Sequence, residues 1–227
     1  MLVIRPITAA DFAALKQIAI ESGAGFTSLD GVVLVLFNGS NDLSYNTIDL
    51  TGYTTNAEGY FVVGNEAVAN VDVVVPSNAI QNGADAVALY QTDASNFPNG
   101  SNITVENLID AIVYGTSDAD DVELLALLNT DEPQVDENAN SDGVMQSSQR
   151  CPNGSGGLRN TSNYAQALPT PGATNQCAPV VVDQCGMPAT KIHTIQGEAK
   201  TAVLYAPTQP IKGSVWVTYR APQGLVG

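Results

Sequence analysis

Few residues in this chain are of types that could do chemistry, and their spacing limits what that chemistry is. His193 is the single histidine. A nucleophilic dyad or a zinc site needs partners at hydrogen-bonding or ligand spacing, and the nearest cysteine, Cys185, stands alone eight residues away. His193 therefore reads as an ordinary surface or core side chain. Asp136, Asn138, Asn140 and Asp142 set oxygen atoms at alternate positions, as an EF-hand calcium loop does. The pattern breaks at Ser141, where that loop needs glycine for its sharp turn, and at Ser147, where it needs a bidentate glutamate. The expectation is a disordered acidic loop, with calcium the one ion left open and no other cofactor foreseen. Asp118, Asp120 and Asp121 precede an apolar stretch, Val122 to Leu128, where a helix N-terminus would favour negative charge. No residue is assigned a catalytic role.

Three cysteines give one disulfide and a spare. Cys151 and Cys177 bracket a segment rich in Gly, Asn and Pro that has little apolar surface to hold it. They are the pair expected to bond, closing a loop worth about 3 to 4 kcal/mol of unfolded-state entropy. Cys185 is left over, and a bridge argues for an oxidising compartment. Against that, Met1 to Gly25 has no long apolar run, so no signal peptide is read in this chain. Asn38, Asn99, Asn102, Asn153 and Asn160 begin N-x-Ser/Thr sequons, which mark surface loops.

Charge is distributed unevenly. The formal net charge is −15, and no Lys or Arg lies between Lys16 and Arg150, an interval holding most of the 23 acidic residues. Such a surface repels phosphate backbones, so direct nucleic-acid binding is not expected. Two-metal phosphodiester hydrolysis needs converging carboxylates, and the acids here are spread over loops. No stretch reaches the apolar length of a membrane span.

The elements that must position these residues are mostly strands. Asp85–Tyr90 and Leu108–Tyr114 form the central pair, joined by a surface excursion from Gln91 to Asn107 that is too polar to bury itself. Val32–Phe37, Tyr60–Val63 and Val71–Val75 are further apolar runs bounded by Gly, Asn or Pro. Five or more short strands with turn signals between them indicate an antiparallel sandwich or barrel. The opening differs: Leu2–Ile4 reads as a strand, and Phe12, Leu15, Ile18 and Ala19 recur at helical spacing. Near the other end, Ser214–Tyr219 reads as one more strand, too little for a complete barrel.

Two resemblances organise these observations. Val3-Ile-Arg-Pro6, Asp11, Ala14-Leu15 and Ser22–Leu29 resemble the start of an arginine N-succinyltransferase, within the acyltransferase superfamily. No Gly-rich loop before a helix is present to cradle an acyl-CoA pyrophosphate, so the activity is not carried over. Ser28–Gly39, Gly52–Thr55, Gly59–Asn65, Gln81–Tyr90, Leu108–Gly115, Ser148–Cys151, Gly156-Gly157, Arg159–Thr161 and Pro169–Gly172 resemble a lamin-tail-type domain, in the version attached to secreted bacterial nucleases. The likeness covers about 28–178. Pro188–Gly197 resembles the segment that begins a small β-barrel in those nucleases.

The resulting expectation is an all-β chain. It comprises a transferase-like β-α opening over 1–27, an immunoglobulin-like antiparallel β-sandwich over 28–178, and a linker with an incomplete β segment over 179–227. The resemblance implies a non-catalytic accessory or interaction module, extracellular, with an unidentified protein or surface as partner. Strands ordinarily ahead of residue 28 look replaced, which implies a mosaic or truncated product and an exposed sheet edge open to self-association. The rival readings are a fragment of an acyl-CoA-dependent N-acyltransferase and a secreted metal-dependent nuclease.

Overall fold

A seven-residue strand with six apolar side chains in a row has no polar face to offer water, so it must be covered on both sides. Val32–Asn38 (β3) is such a strand, and its first six residues are buried. In the computed structural model it lies inside a five-stranded sheet, between Leu43–Asp49 (β4) and Asp85–Gln91 (β7), followed by Leu108–Gly115 (β8) and the two-residue Val135–Asp136 (β9). All pairings are antiparallel except β8 with β9. The register sets Leu34 opposite Leu89 and Val87 opposite Ile112, so apolar side chains meet across adjacent strands. The structure describes residues 3–5, 17–141, 143, 145–177, 192–197 and 200–205.

A second sheet orders Val3–Arg5 (β1), Gln17–Glu21 (β2), Tyr60–Gly64 (β5) and Val73–Val74 (β6). The two sheets enclose one core. Ile18, Ile20, Phe61 and Val63 from the smaller sheet pack with Val32, Leu34, Leu36, Val87, Leu89, Ile112 and Tyr114 from the larger. Strand periodicity then sends Val33, Val35, Phe37, Ala86, Ala88, Ala111 and Val113 to the opposite face of the larger sheet. That face is roofed by the connection from β7 to β8 and by the 3-10 helix Leu124–Leu127, which bury Phe97, Leu124, Leu127 and Leu128 against it.

The all-β class is shown. The helix expected from Phe12 up to the stop at Gly23 and Gly25 is not found in its described part, where Gln17–Glu21 forms β2; residues 6–16 lie outside the described residues. The reason is register. Gln17–Glu21 pairs antiparallel with Tyr60–Gly64, which places Ile18 and Ile20 together on the core face, an i, i+2 pattern that the helical count overlooked. β2 thus supplies a strand ahead of residue 28. Val71–Val75 contracts to Val73–Val74, and Val122–Leu128 to one 3-10 turn. The excursion from Gln91 to Asn107 is anchored as well as exposed. Its Phe97 stacks on Tyr90 with centroids 4.3 Å apart and meets Phe37 edge-on at 6.4 Å.

Glycine is required where β3 ends. A Cβ on Gly39 would collide with the Ala84 carbonyl and the Asp121 carboxylate, so the approach of these loops depends on its absence.

Chain contacts divide the molecule into two compact units, Met1–Cys177 and Ala178–Gly227. In the second, Ile192–Gly197 (β12) and Lys200–Tyr205 (β13) form an antiparallel hairpin. Ser214–Tyr219 and Cys185 lie outside the described residues.

Candidate functional site

The interior of β8 breaks its own pattern once. Asp110 stands among apolar neighbours and, by strand alternation, shares a face with Ile112 and Tyr114, so its carboxylate enters the space between the sheets. It is fully buried. An isolated carboxylate there would cost several kcal/mol or stay protonated, so a buried partner of opposite charge is needed.

Arg150 is that partner, and it too is 0% exposed. It comes from Ser147–Arg150 (β10), which pairs with Tyr164–Ala167 (β11). The Nη2 group of Arg150 donates to both Asp110 oxygens, at 2.8 Å to Oδ2 and 3.1 Å to Oδ1. Nη1 donates to the carbonyls of Ser155, at 3.3 Å, and Gly157. The Arg150–Tyr164 register brings the guanidinium carbon to 5.1 Å from the Tyr164 ring centre, within cation–π range. Burial alone would pull the Arg150 pKa down, but Tyr164 and Asp110 outweigh it and hold the group above its ordinary value.

The network extends through Arg159 and Glu132. The Arg159 amide donates to Asp110 Oδ1. Its side chain turns back, donating from Nε to the Leu127 carbonyl at 2.6 Å and from Nη2 to the Leu128 carbonyl at 3.1 Å. These carbonyls end the 3-10 helix and have no helical donor, so the guanidinium caps them. Glu132 accepts from Asn160 Nδ2 through Oε1, and through Oε2 from the Thr161 amide at 2.9 Å and the Ser162 amide at 2.8 Å. Burial opposes its ionisation, yet the bonds from Ser162 and Thr161 hold its carboxyl below the usual range.

Cys151, directly after Arg150, and Cys177 lie at disulfide distance, with Cα atoms 5.4 Å apart. Asn175 Nδ2 donates to the Arg150 carbonyl at 2.9 Å, and Asn153 Nδ2 reaches Glu21 of β2 at 2.9 Å. Chemically this assembly is a clasp. The donors of Arg150 point at carbonyls and a carboxylate of the chain itself and are fully enclosed, so this guanidinium is not presented to an anionic ligand; Arg159 is half-buried, with Nε and Nη2 turned to the chain's own carbonyls.

The other sequence candidates lie elsewhere. Asp136 sits in β9, where Oδ1 accepts from the amides of Ser117 and Asn138, at 2.9 and 2.8 Å. Asn138 Oδ1 accepts from the Gly143 amide at 3.2 Å, and Asn140 Nδ2 donates to Gln146 at 3.0 Å. The oxygens of Asp136 and Asn138 that a calcium loop would aim at an ion instead close local turns; Asp142 lies outside the described residues. Ser147 opens β10. Asp118 accepts from the Thr116 amide and Asp121 from the Leu124 amide, at 2.8 and 2.9 Å, so of the three only Asp121 meets the 3-10 turn. Among the described residues no three His, Cys, Asp or Glu side chains converge as metal ligands. His193 falls in β12 opposite Leu204. No described helix is long and apolar enough to cross a membrane.

Asp110, Arg150, Arg159 and Glu132 went unread as a group in the sequence. A signal existed: one charged residue inside an apolar strand, and only two cations between residues 17 and 177 to meet it. No protein-family model, curated protein or solved structure matches this chain.

Proposed function

We propose that residues 28–178 form an accessory, non-catalytic interaction module of the lamin-tail type, an immunoglobulin-like sandwich of the kind attached to extracellular nucleases. The observation that carries this reading is the clasp. Arg150 and Asp110 fasten the C-terminal strand pair to β8, and Arg159 and Glu132 fasten the loop of that pair to the segment 127–132. A fold that places its best-organised charges in its own framework is a scaffold for surface recognition.

Its partner is a protein or surface. Of the module's two cations Arg150 is internal and Arg159 is half-buried on its own carbonyls, while its acids outnumber them, so a polyanion is disfavoured as ligand. An extracellular setting agrees with the Cys151–Cys177 bridge. Self-association would use a sheet edge, β4 or β1. The test is direct: purified chain is given supercoiled plasmid with magnesium, manganese or calcium and, separately, acetyl- and succinyl-CoA with amino-acid acceptors. Neither DNA cleavage nor CoA release is expected, and turnover that scales with chain concentration would replace this reading with one of the two enzymatic rivals.

A further inference from the structure

The connection between β7 and β8 does more than roof the larger sheet. It encloses a surface hollow of about 470 Å³, lined by Thr92, Phe97, Asn102, Thr104, Glu106 and Asn107 among others. Its floor is fixed. Phe97 is wedged against Tyr90 and Phe37, and the Tyr90 hydroxyl donates to the Thr104 carbonyl at 2.8 Å. One wall is tied to the sheet edge, where Asn102 bridges to Leu43 of β4. The other is tied to β7, whose Gln91 amide donates to the Asn107 carbonyl at 2.9 Å.

The functional groups on this frame are of one kind. Thr92 Oγ1 accepts from Asn96 at 2.7 Å and Thr104 Oγ1 from the Glu106 amide at 3.1 Å, which leaves both hydroxyl hydrogens free to donate. The side chains of Asn102, Glu106 and Asn107 line the hollow with no internal hydrogen bond among those described. Asn107 is held at φ 59°, a conformation that side chains rarely adopt. Hydroxyls and amides supply donors and acceptors side by side, with one carboxylate, no cation and an aromatic floor.

That inventory selects among ligands. An anion would meet Glu106 and the field of a chain of net charge −15. An apolar molecule would leave the amides unpaired, at a cost for each. A metal ion would find a single carboxylate where several are needed. A neutral polyhydroxyl compound offers adjacent O–H groups that both donate and accept, and the volume accommodates one or two hexose rings.

We propose that the hollow is a subsite for a neutral sugar unit, of hexose or N-acetylhexosamine type, by which the module engages a glycan surface. This deepens the accessory-module reading and rests on it. The experiment follows backbone amides of the full chain by NMR during addition of glucose, galactose, mannose and N-acetylglucosamine, each to about 20 mM, a range suited to the millimolar affinity of a shallow polar site. At least one sugar is expected to shift amides within 92–107 in a saturable way. Asn102→Ala and Asn107→Gly should each weaken that binding about 3- to 10-fold; glycine accepts the positive φ at 107, so the second variant deletes the amide without straining the loop. Spermidine supplies the cationic control. Absence of shifts with every sugar, shifts unchanged in both variants, or spermidine binding at the hollow in place of sugar would each overturn the proposal. The plasmid and CoA assays read separately on whether the chain is an accessory module at all.

Discussion

At the scale of residues, the account turns on Asp110 and Arg150. Removing one partner of a fully buried ion pair leaves the other charge without compensation, so Asp110→Ala should cost about 3 to 5 kcal/mol in urea unfolding, whereas Asp110→Leu combined with Arg150→Met should recover most of that loss. Glu132 makes a second prediction, with a sign set by its lowered pKa. Because the folded-state value lies below the unfolded one, the ionised carboxylate contributes stability above the ordinary carboxylate pKa, and this is lost as pH falls through the folded value. Glu132→Gln should therefore lower the melting temperature at pH 7 and narrow its deficit toward pH 3. A deficit that stays constant across that range would assign the effect to shape rather than charge. The sequence displayed Asp110 plainly, a carboxylate inside Leu108–Tyr114, but its partner lies 40 residues on and nothing local links the two. Long-range pairing of this sort is fixed by the fold, which is why the clasp was illegible while Cys151 and Cys177, bracketing an obviously unsupported loop, were readable.

At the scale of elements, the long apolar runs identified themselves. β3, β7 and β8 are buried on both faces, so their sequences are hydrophobic almost throughout and admit no other placement. β4 escaped because an edge strand is half-solvated: Leu43–Asp49 alternates weakly and contains Asn, Ser, Thr and Asp. β10 and β11 escaped for a different reason. Their residues are polar and are ordered by the clasp and the bridge more than by apolar burial, with Gln149 and Arg150 fully enclosed. It follows that this strand pair depends on the disulfide. Replacing both Cys151 and Cys177 by serine should cost about 3 kcal/mol and raise amide exchange in 147–177 before it does so in β3 or β7. The roof over the outer face is a separate element with its own anchor: Phe97→Ala should cost about 3 kcal/mol and loosen 92–107 while sparing the core between the sheets. Uniform loss of protection in both cases would mean that these parts are not separable.

At the scale of the whole molecule, charge and architecture lead to one account. Between residues 17 and 177 the only cations are Arg150 and Arg159, and both serve the clasp, so the acids of that segment repel one another with no further cation of the segment to offset them. Salt should stabilise the chain: raising sodium chloride from about 0.01 M to about 0.5 M shortens the screening length severalfold and should raise the melting temperature, where a network of surface ion pairs would give the reverse. On the proposed reading, a phosphodiester approaching 17–149 would meet carboxylates and no Lys or Arg. On the same reading the chain is a framework for recognition and performs no hydrolysis. Plasmid cleavage tests it most directly. Supercoiled DNA incubated with the full chain and magnesium, manganese or calcium is predicted to remain supercoiled at every protein concentration; nicking that rises with protein and stops on chelation would contradict the account.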